Sequence, residues 1–170
     1  MRSALIFGGL ALVLAVPGAM VAGKERLIAA GEPVLLRLAP RDPRSLMQGD
    51  YMVLDYEIVR GLGDVEPWPR DGALVVRLDD RGVASFVRRY EGGQLGDRER
   101  LLKYRRRGWR LRLGAEEFFF QEGEAARFSK ARYSELRVAA SGDSVLVGLC
   151  DESGNPLGRG RAFTRSSGVP

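Results

Sequence analysis

Gln48-Gly49-Asp50-Tyr51-Met52-Val53-Leu54-Asp55-Tyr56-Glu57-Ile58 is the stretch whose pattern decides how the chain folds. Met52, Leu54, Tyr56 and Ile58 fall at every second position, with Val53, Asp55 and Glu57 between them. A repeat of two puts the first set on one face of an extended strand, against a core, and leaves the half-polar face near water. The whole stretch therefore reads as a strand. Tyr51 and Tyr56 are five positions apart, so a regular strand turns them to opposite faces. One then enters the core and the other is free for a rim contact or a hydrogen bond.

The same alternation recurs on both sides. Residues 33–38 predict a first strand, and residues 39–48, with Pro40, Asp42 and Pro43, an extended loop. A second loop covers residues 61–72 around Pro67, Trp68 and Pro69. Residues 73–78 and 83–90 predict a hairpin turned at Asp79-Asp80-Arg81-Gly82. Residues 100–106 and 109–113 form a second pair across Arg107-Gly108, with Trp109, Leu111 and Leu113 expected on one face and Arg110 and Arg112 on the other. Residues 117–120 read as a short aromatic strand deep in the core. One helix is expected over residues 122–133, where Ala125, Phe128, Ala131 and Arg132 cluster at helical offsets. Residues 135–140 and 144–150 close the sheet around Ser141-Gly142-Asp143, and the tail from Asp151 should loosen towards Pro170. The fold class is mainly β of the α+β type: one mostly antiparallel domain, residues 31–170, with one short helix.

Residues 4–22 carry no charge. A helix of that length, at about 1.5 Å per residue, matches the hydrocarbon thickness of a bilayer. Two readings stand open. One is an uncleaved transmembrane anchor within residues 1–30, with residues 24–31 continuing the helix to a stop at Gly31. The other is a signal peptide, cleaved near Val21-Ala22-Gly23. Both carry the body out of the cytoplasm. Lys24 and Arg26 balance Arg2, so charge alone does not orient the segment.

The chain of 170 residues has a net charge of +5, one cysteine and no histidine. A disulfide framework is excluded, and Cys150, in an apolar run, reads as a small buried side chain. Without histidine there is no Ser-His-Asp or Cys-His nucleophile, no imidazole proton transfer, and no His-containing zinc site. A carboxylate-only site for a hard cation is the remaining metal chemistry. No EF-hand spacing and no phosphate-cradling loop is present, so no cofactor is expected.

The letters Gly49, Asp50, Tyr51, Leu54 and Tyr56 spell GDYxxLxY. The chain resembles the GDYXXLXY family, membrane-anchored bacterial proteins of unassigned function. Pro40-Arg41-Asp42-Pro43-Arg44-Ser45-Leu46 resembles that family's Asp-Pro-Arg-Ser-Leu lead-in. Phe120-Gln121-Glu122-Gly123, Tyr133-Ser134-Glu135-Leu136-Arg137-Val138 and Leu146-Val147-Gly148-Leu149 resemble its second half. The resemblance implies a membrane anchor, an extracytoplasmic domain and association with multi-span membrane proteins. It brings no catalytic residue, cofactor or metal ligand.

Three sets of residues invite chemistry. Between Arg98 and Arg112 eight Lys or Arg surround Tyr104 and Trp109. Arg105, Arg106, Arg107 and Arg110 are the candidate contacts for a partner or an anionic lipid headgroup, with a solvated sheet face as the plain alternative. An extracytoplasmic domain is not expected to meet nucleic acid. Asp50 reads as a strand-entry turn, or as a carboxylate pairing with Arg41 or Arg44. Ser45 and Lys103 are the one pair available for a serine–lysine hydrolase, although Lys103 lies among arginines. Glu116-Glu117 and Asp79-Asp80 read as strand and turn residues. The expectation is a single-pass, membrane-tethered accessory domain on the extracytoplasmic (periplasmic) side that is not an enzyme, takes no small-molecule substrate and docks on an integral membrane protein. A membrane-anchored serine–lysine hydrolase and a headgroup-binding module are the alternatives.

Overall fold

Helix α1 runs over Arg2–Ala30 with Pro17 inside it. The structure is a computed structural model that describes residues 2–39, 47–48, 51–60, 62, 68–121 and 123–159, with the side chains of residues 2–8, 10–12, 47, 48, 51 and 159 outside that description. Among the described residues no helix is long and apolar enough to cross a membrane. The expected span therefore rests on the uncharged sequence of residues 4–22. Gly31 ends α1 as its position suggested, its N–H bonding to Leu27 O at 2.8 Å. A Cβ on Gly31 would run into that oxygen and lie 3.0 Å from Arg137 Cβ, so only glycine fits between the helix and the sheet.

Among the described residues eleven strands follow, in three antiparallel sheets. The first sheet has the order β1-β9-β10-β11, from β1 (Glu32–Arg37), β9 (Tyr133–Val138), β10 (Ser144–Cys150) and β11 (Pro156–Arg159). The second is β5-β4-β6-β7, from β4 (Asp71–Leu78), β5 (Ala84–Arg89), β6 (Glu99–Arg107) and β7 (Arg110–Arg112). The third is small: β2 (Met47–Gln48), β3 (Tyr51–Val53) and β8 (Glu117–Phe119), with β3 in the middle. The expected mainly antiparallel β body is thus present.

One core is shared by all three sheets. Val34 and Leu36 from β1, Leu136 from β9 and Leu149 from β10 meet Leu74 and Val76 from β4, Leu102 and Tyr104 from β6, and Phe118 from β8. Leu36, Leu74, Leu102, Leu136 and Leu149 are fully buried. Trimming any of them to alanine costs about 2–5 kcal/mol, because the hole left behind closes only in part.

Polar stitches hold the sheets edge to edge. Leu35 N–H donates to Gly82 O at 2.9 Å, and Lys103 N–H donates to Gly142 O at 2.9 Å. The second bond caps the free edge of β6 with the tip of the β9–β10 hairpin. Gly142 has φ +85°, which L side chains rarely adopt, and a Cβ there would meet Leu101 Cβ at 3.0 Å. Arg100 and Glu32 form a two-pronged ion pair, with Nη2 2.9 Å from Oε1, between the start of β6 and the start of β1.

Several expectations are corrected. The strand read through residues 52–58 ends at Val53, because the chain changes partners there. Leu54 N–H bonds to Glu116 O, Ala39 N–H takes Asp55 O, and Glu57–Val59 coil into one 3-10 turn. Trp109 does not share a face with Leu111 and Leu113, since it sits in the β6–β7 turn and is 62% exposed. The helix read over residues 122–133 is the single turn α2 (Ala125–Phe128). Arg132 is drawn into the first sheet, donating to Cys150 O while its carbonyl accepts from Leu38. Within the tail β11 pairs with β10, and residues 160–170 lie outside the described residues. Trp68, read as part of a loop, is buried, and its ring meets Tyr104 edge-on at 5.4 Å.

Candidate docking surfaces beside the motif and on the basic hairpin

The motif segment joins two sheets. Its β3 part pairs with β8, Tyr51 opposite Phe119 and Met52 opposite Phe118. Tyr56 then makes an antiparallel bridge to Leu38, just past β1. Met52, Leu54 and Tyr56 are all buried, and Ile58 packs against the core while partly exposed. An extended backbone keeps a period-two burial even where the ladder stops, so the side-chain reading holds where the strand reading fails.

Tyr56 is a core residue. Its hydroxyl donates to Ala115 O. Burial pushes its phenol far above the usual range, the Ser134 hydroxyl pulls the other way, and the charge of Glu116 adds to the rise. Ser134 Oγ, fully buried on β9, is not aligned for a hydrogen bond with any described group. Gly49, Asp50 and the side chain of Tyr51 lie outside the described residues, as do Arg41, Arg44 and Ser45.

A cavity of about 620 Å³ opens beside this segment. Leu38, Ala39, Met52, Leu54, Phe128 and Ala131 supply its apolar lining. Arg37, Asp55, Glu57, Arg132 and Glu152 give it charge of both signs. It lies at the Arg37 end of β1, the end away from α1. Phe128 and Ala131 come from α2 and the residues just after it, contributors that the longer expected helix hid.

The basic hairpin divides its arginines by register. Arg105 stands opposite Arg112 and Arg107 opposite Arg110, so these four share a face with Lys103, whereas Arg106 stands opposite buried Leu111 on the other face. The expected cluster of Arg105, Arg106, Arg107 and Arg110 is therefore split. Arg112 and Lys103 take the place of Arg106. Lys103 pairs with Asp143 at 2.8 Å and Arg105 with Asp71 at 2.7 Å. Arg110 stacks over the Trp109 ring, 4.5 Å from its centre. Beneath this sheet the Tyr104 hydroxyl is buried without a hydrogen-bond partner among the described residues. Desolvation raises its pKa, partly offset by Arg89 and Arg106.

No assembled reaction centre accompanies these surfaces among the described residues. Lys103 Nζ is exposed and paired with Asp143. Glu116 is occupied as an acceptor for Leu113 N–H and Gly114 N–H. Asp79 caps its turn, accepting from Arg81 and Val83 at 2.8 Å each. Cys150 is buried, and desolvation raises its thiol pKa. Among the described residues no group of three or more His, Cys, Asp or Glu could hold a metal ion.

Residues 13–149 match the GDYXXLXY protein family. The chain belongs to the GDYXXLXY family. The match starts inside the uncharged stretch and ends in β10, so it takes in the later half of α1, the motif, the β4–β5 and β6–β7 hairpins and the groove lining except Glu152. No curated protein and no solved structure matches the chain. Within the GDYXXLXY motif, Leu54 and Tyr56 are core residues. Their place in this chain is to hold β1, β3 and the Ala115–Glu116 turn together.

Proposed function

We propose that this GDYXXLXY protein is a single-pass, membrane-tethered accessory domain, held on the extracytoplasmic side, that docks on an integral membrane protein without chemistry of its own. The groove beside the motif carries the reading: an apolar floor with Arg37, Asp55, Glu57 and Arg132 around it, at the end of β1 remote from α1. Mixed charge around an apolar floor suits a peptide segment or loop of a partner better than a small substrate. Residues 4–22 supply the anchor in this reading, and α1 carries it without interruption to the body. An anchor confines both molecules to one membrane, so effective concentration lets modest contacts suffice.

The test is a photocrosslinking residue placed at Asp55 or Glu57 in the full-length chain, in native membranes, with Asp80 as a remote control site. A membrane-spanning protein captured from positions 55 and 57, not from 80, and lost in the D55R/E57R variant, supports the reading. Equal capture at all three positions, or none, refutes it. Alkaline carbonate extraction and the mass of the recovered chain distinguish a retained anchor from a cleaved signal peptide.

A further inference from the structure

Strands β6 and β7 set like charges directly opposite one another. Arg105 stands opposite Arg112 and Arg107 opposite Arg110. Side chains so placed lie about 5 Å apart at Cβ, close enough for like charges to repel. Lys103 carries the row one step back along β6. Among the described residues, two carboxylates are paired with these five cations, Asp143 with Lys103 and Asp71 with Arg105. Arg107 and Arg112 have no ion pair among the described residues, and Arg110 has only its stack on Trp109. Glu116 is spent on Leu113 N–H and Gly114 N–H. All four arginines are exposed, so their repulsion serves no packing, and an anion lying across each pair would relieve it.

The shape and spacing of this face suit a chain. A cavity of about 920 Å³ is lined by Lys103, Arg105, Arg107 and Arg112 together with Tyr90 and Ser141. That volume suits a ligand of many atoms better than one small anion. A strand rises about 3.3–3.4 Å per residue, so Lys103, Arg105 and Arg107 follow one another at about 6.6–6.8 Å. An extended peptide has the same repeat. Carboxylates at every second position of such a peptide meet Lys103 and the two arginine pairs in turn. The hairpin also lies at the end of the body where the groove opens. β5 runs parallel to β1, through the bridge of Leu35 to Val83, and β6 runs the same way, since both pair antiparallel with β4. Arg107 is therefore towards the Arg37 end of β1. There β7 lies against the 3-10 turn Glu57–Val59, and Glu57 of that turn lines the groove. One turn of chain stands between the two surfaces, so a partner seated in the groove has the hairpin as its neighbour.

We propose that this face binds an extended acidic segment of the docking partner, with carboxylates at alternate positions bridging Arg105 to Arg112 and Arg107 to Arg110 and the next one reaching Lys103. The inference rests on the docking reading, which supplies the partner, and it names the chemistry that the partner presents. Guanidinium forks take carboxylate oxygens in pairs. The existing pairs to Asp71 and Asp143 are exposed and therefore weak, so an incoming carboxylate displaces them at small cost. A row of one sign also steers an oppositely charged segment towards the site.

The experiment uses the full-length chain in non-ionic detergent at low salt and reads the fluorescence anisotropy of labelled peptides. One is an octapeptide alternating glutamate with threonine, which turns all its carboxylates to one face when extended. The other is its isomer with the glutamates in one block, equal in charge but split between two faces. The alternating peptide should bind at least about fivefold more tightly, the difference made by one exposed ion pair. The R107Q/R112Q variant should weaken that binding at least about fivefold and erase the preference. The R98Q/K130Q variant, which removes as much charge elsewhere, should leave both unchanged. Equal binding of the two isomers overturns the proposal. So does a preference that survives R107Q/R112Q, or one that R98Q/K130Q abolishes equally. Tighter binding of a thymidine octanucleotide than of the alternating peptide overturns it in favour of nucleic acid. The crosslinking test separates the two readings. Peptide discrimination without capture at positions 55 and 57 upholds the acidic-peptide site and removes the groove, whereas capture without discrimination keeps the groove and removes this site.

Discussion

Replacing Tyr56 by phenylalanine removes one oxygen from the place where β1, β3 and the Ala115 turn meet. The ring still fills the core, so no cavity opens. What disappears is the bond to Ala115 O, made by a side chain that is 1% exposed. A carbonyl left without its donor inside a core costs about 1–3 kcal/mol. Urea unfolding of the full-length chain in non-ionic detergent, followed through buried Trp68, should show that loss at pH 8. The same variant should then change how stability depends on alkali. In the unfolded chain a tyrosine ionises near pH ~10. In the folded chain burial keeps the Tyr56 proton on well beyond that point. The raised folded pKa adds stability that is fully present below the unfolded value and is lost as pH climbs towards the folded one. The slope is about 1.4 kcal/mol per pH unit for one proton. The Tyr56→Phe variant has no proton to lose at this position, so the gap between the two proteins should narrow by about 1.4 kcal/mol between pH ~9 and ~11, while every other titrating group cancels in the comparison. A gap that stays constant over that range would mean the phenol titrates alike in both states. Equal stability at pH 8 would mean that no buried bond was broken. Either result refutes the account of the motif as an internal joint.

Four further outcomes are expected. Leu54→Ala, at a 3% exposed position, should cost about 2–5 kcal/mol in the same urea titration. Gly72→Ala would set a Cβ 2.5 Å from Tyr104 Oη, and overpacking of this kind should lower stability by about 1–3 kcal/mol in thermal unfolding. Cys150, buried and with its thiol pKa raised by desolvation, should resist a disulfide-exchange reagent in the native protein and react only on unfolding; rapid native labelling would contradict its burial. Asp143 is held below the usual carboxylate range, first by its hydrogen bond from Lys103 and then by Ser141. Its lowered pKa gives stability that is present above the unfolded value and is lost as pH falls through the folded one. Asp143→Asn should therefore cost up to about 1 kcal/mol at neutral pH, as expected for an exposed pair, and the difference from wild type should begin to shrink in acid unfolding curves once pH falls below ~4.

The parts of this fold that were legible in the sequence are the local ones. The Asp79–Gly82 and Ser141–Asp143 turns close hairpins because their residues favour turn conformations, whatever the surroundings. Met52, Leu54 and Tyr56 are buried as their spacing required. The illegible parts depend on partners distant in sequence. Nothing local to Leu54 shows that its N–H goes to Glu116, over sixty residues away, so the ladder's end at Val53 was hidden. The helix beyond Phe128 gives way to bonds between Arg132 and Leu38, just past β1, and Cys150 of β10. For the arginines the signal was present but unused. Once the turn is put at Gly108-Trp109, Arg105 falls opposite Arg112 and Arg107 opposite Arg110, and Arg106 is left on the far face. Trp68 had no such signal, since the neighbours that bury it come from β5 and β6.

The junction at Gly31 has a mechanical consequence. Its N–H is tied to the helix, Arg137 Nη1 reaches its carbonyl at 3.4 Å, and the next residue, Glu32, is clamped by Arg100. Such a joint has no slack to swivel. With α1 seated in a bilayer, the body would stand as a post whose lean is the lean of its helix, unlike a buoy on a tether. A binding partner would then have to meet the groove at one height and one heading, and a few flexible residues inserted after Ala30 would blunt that selectivity while leaving every surface of the body unchanged.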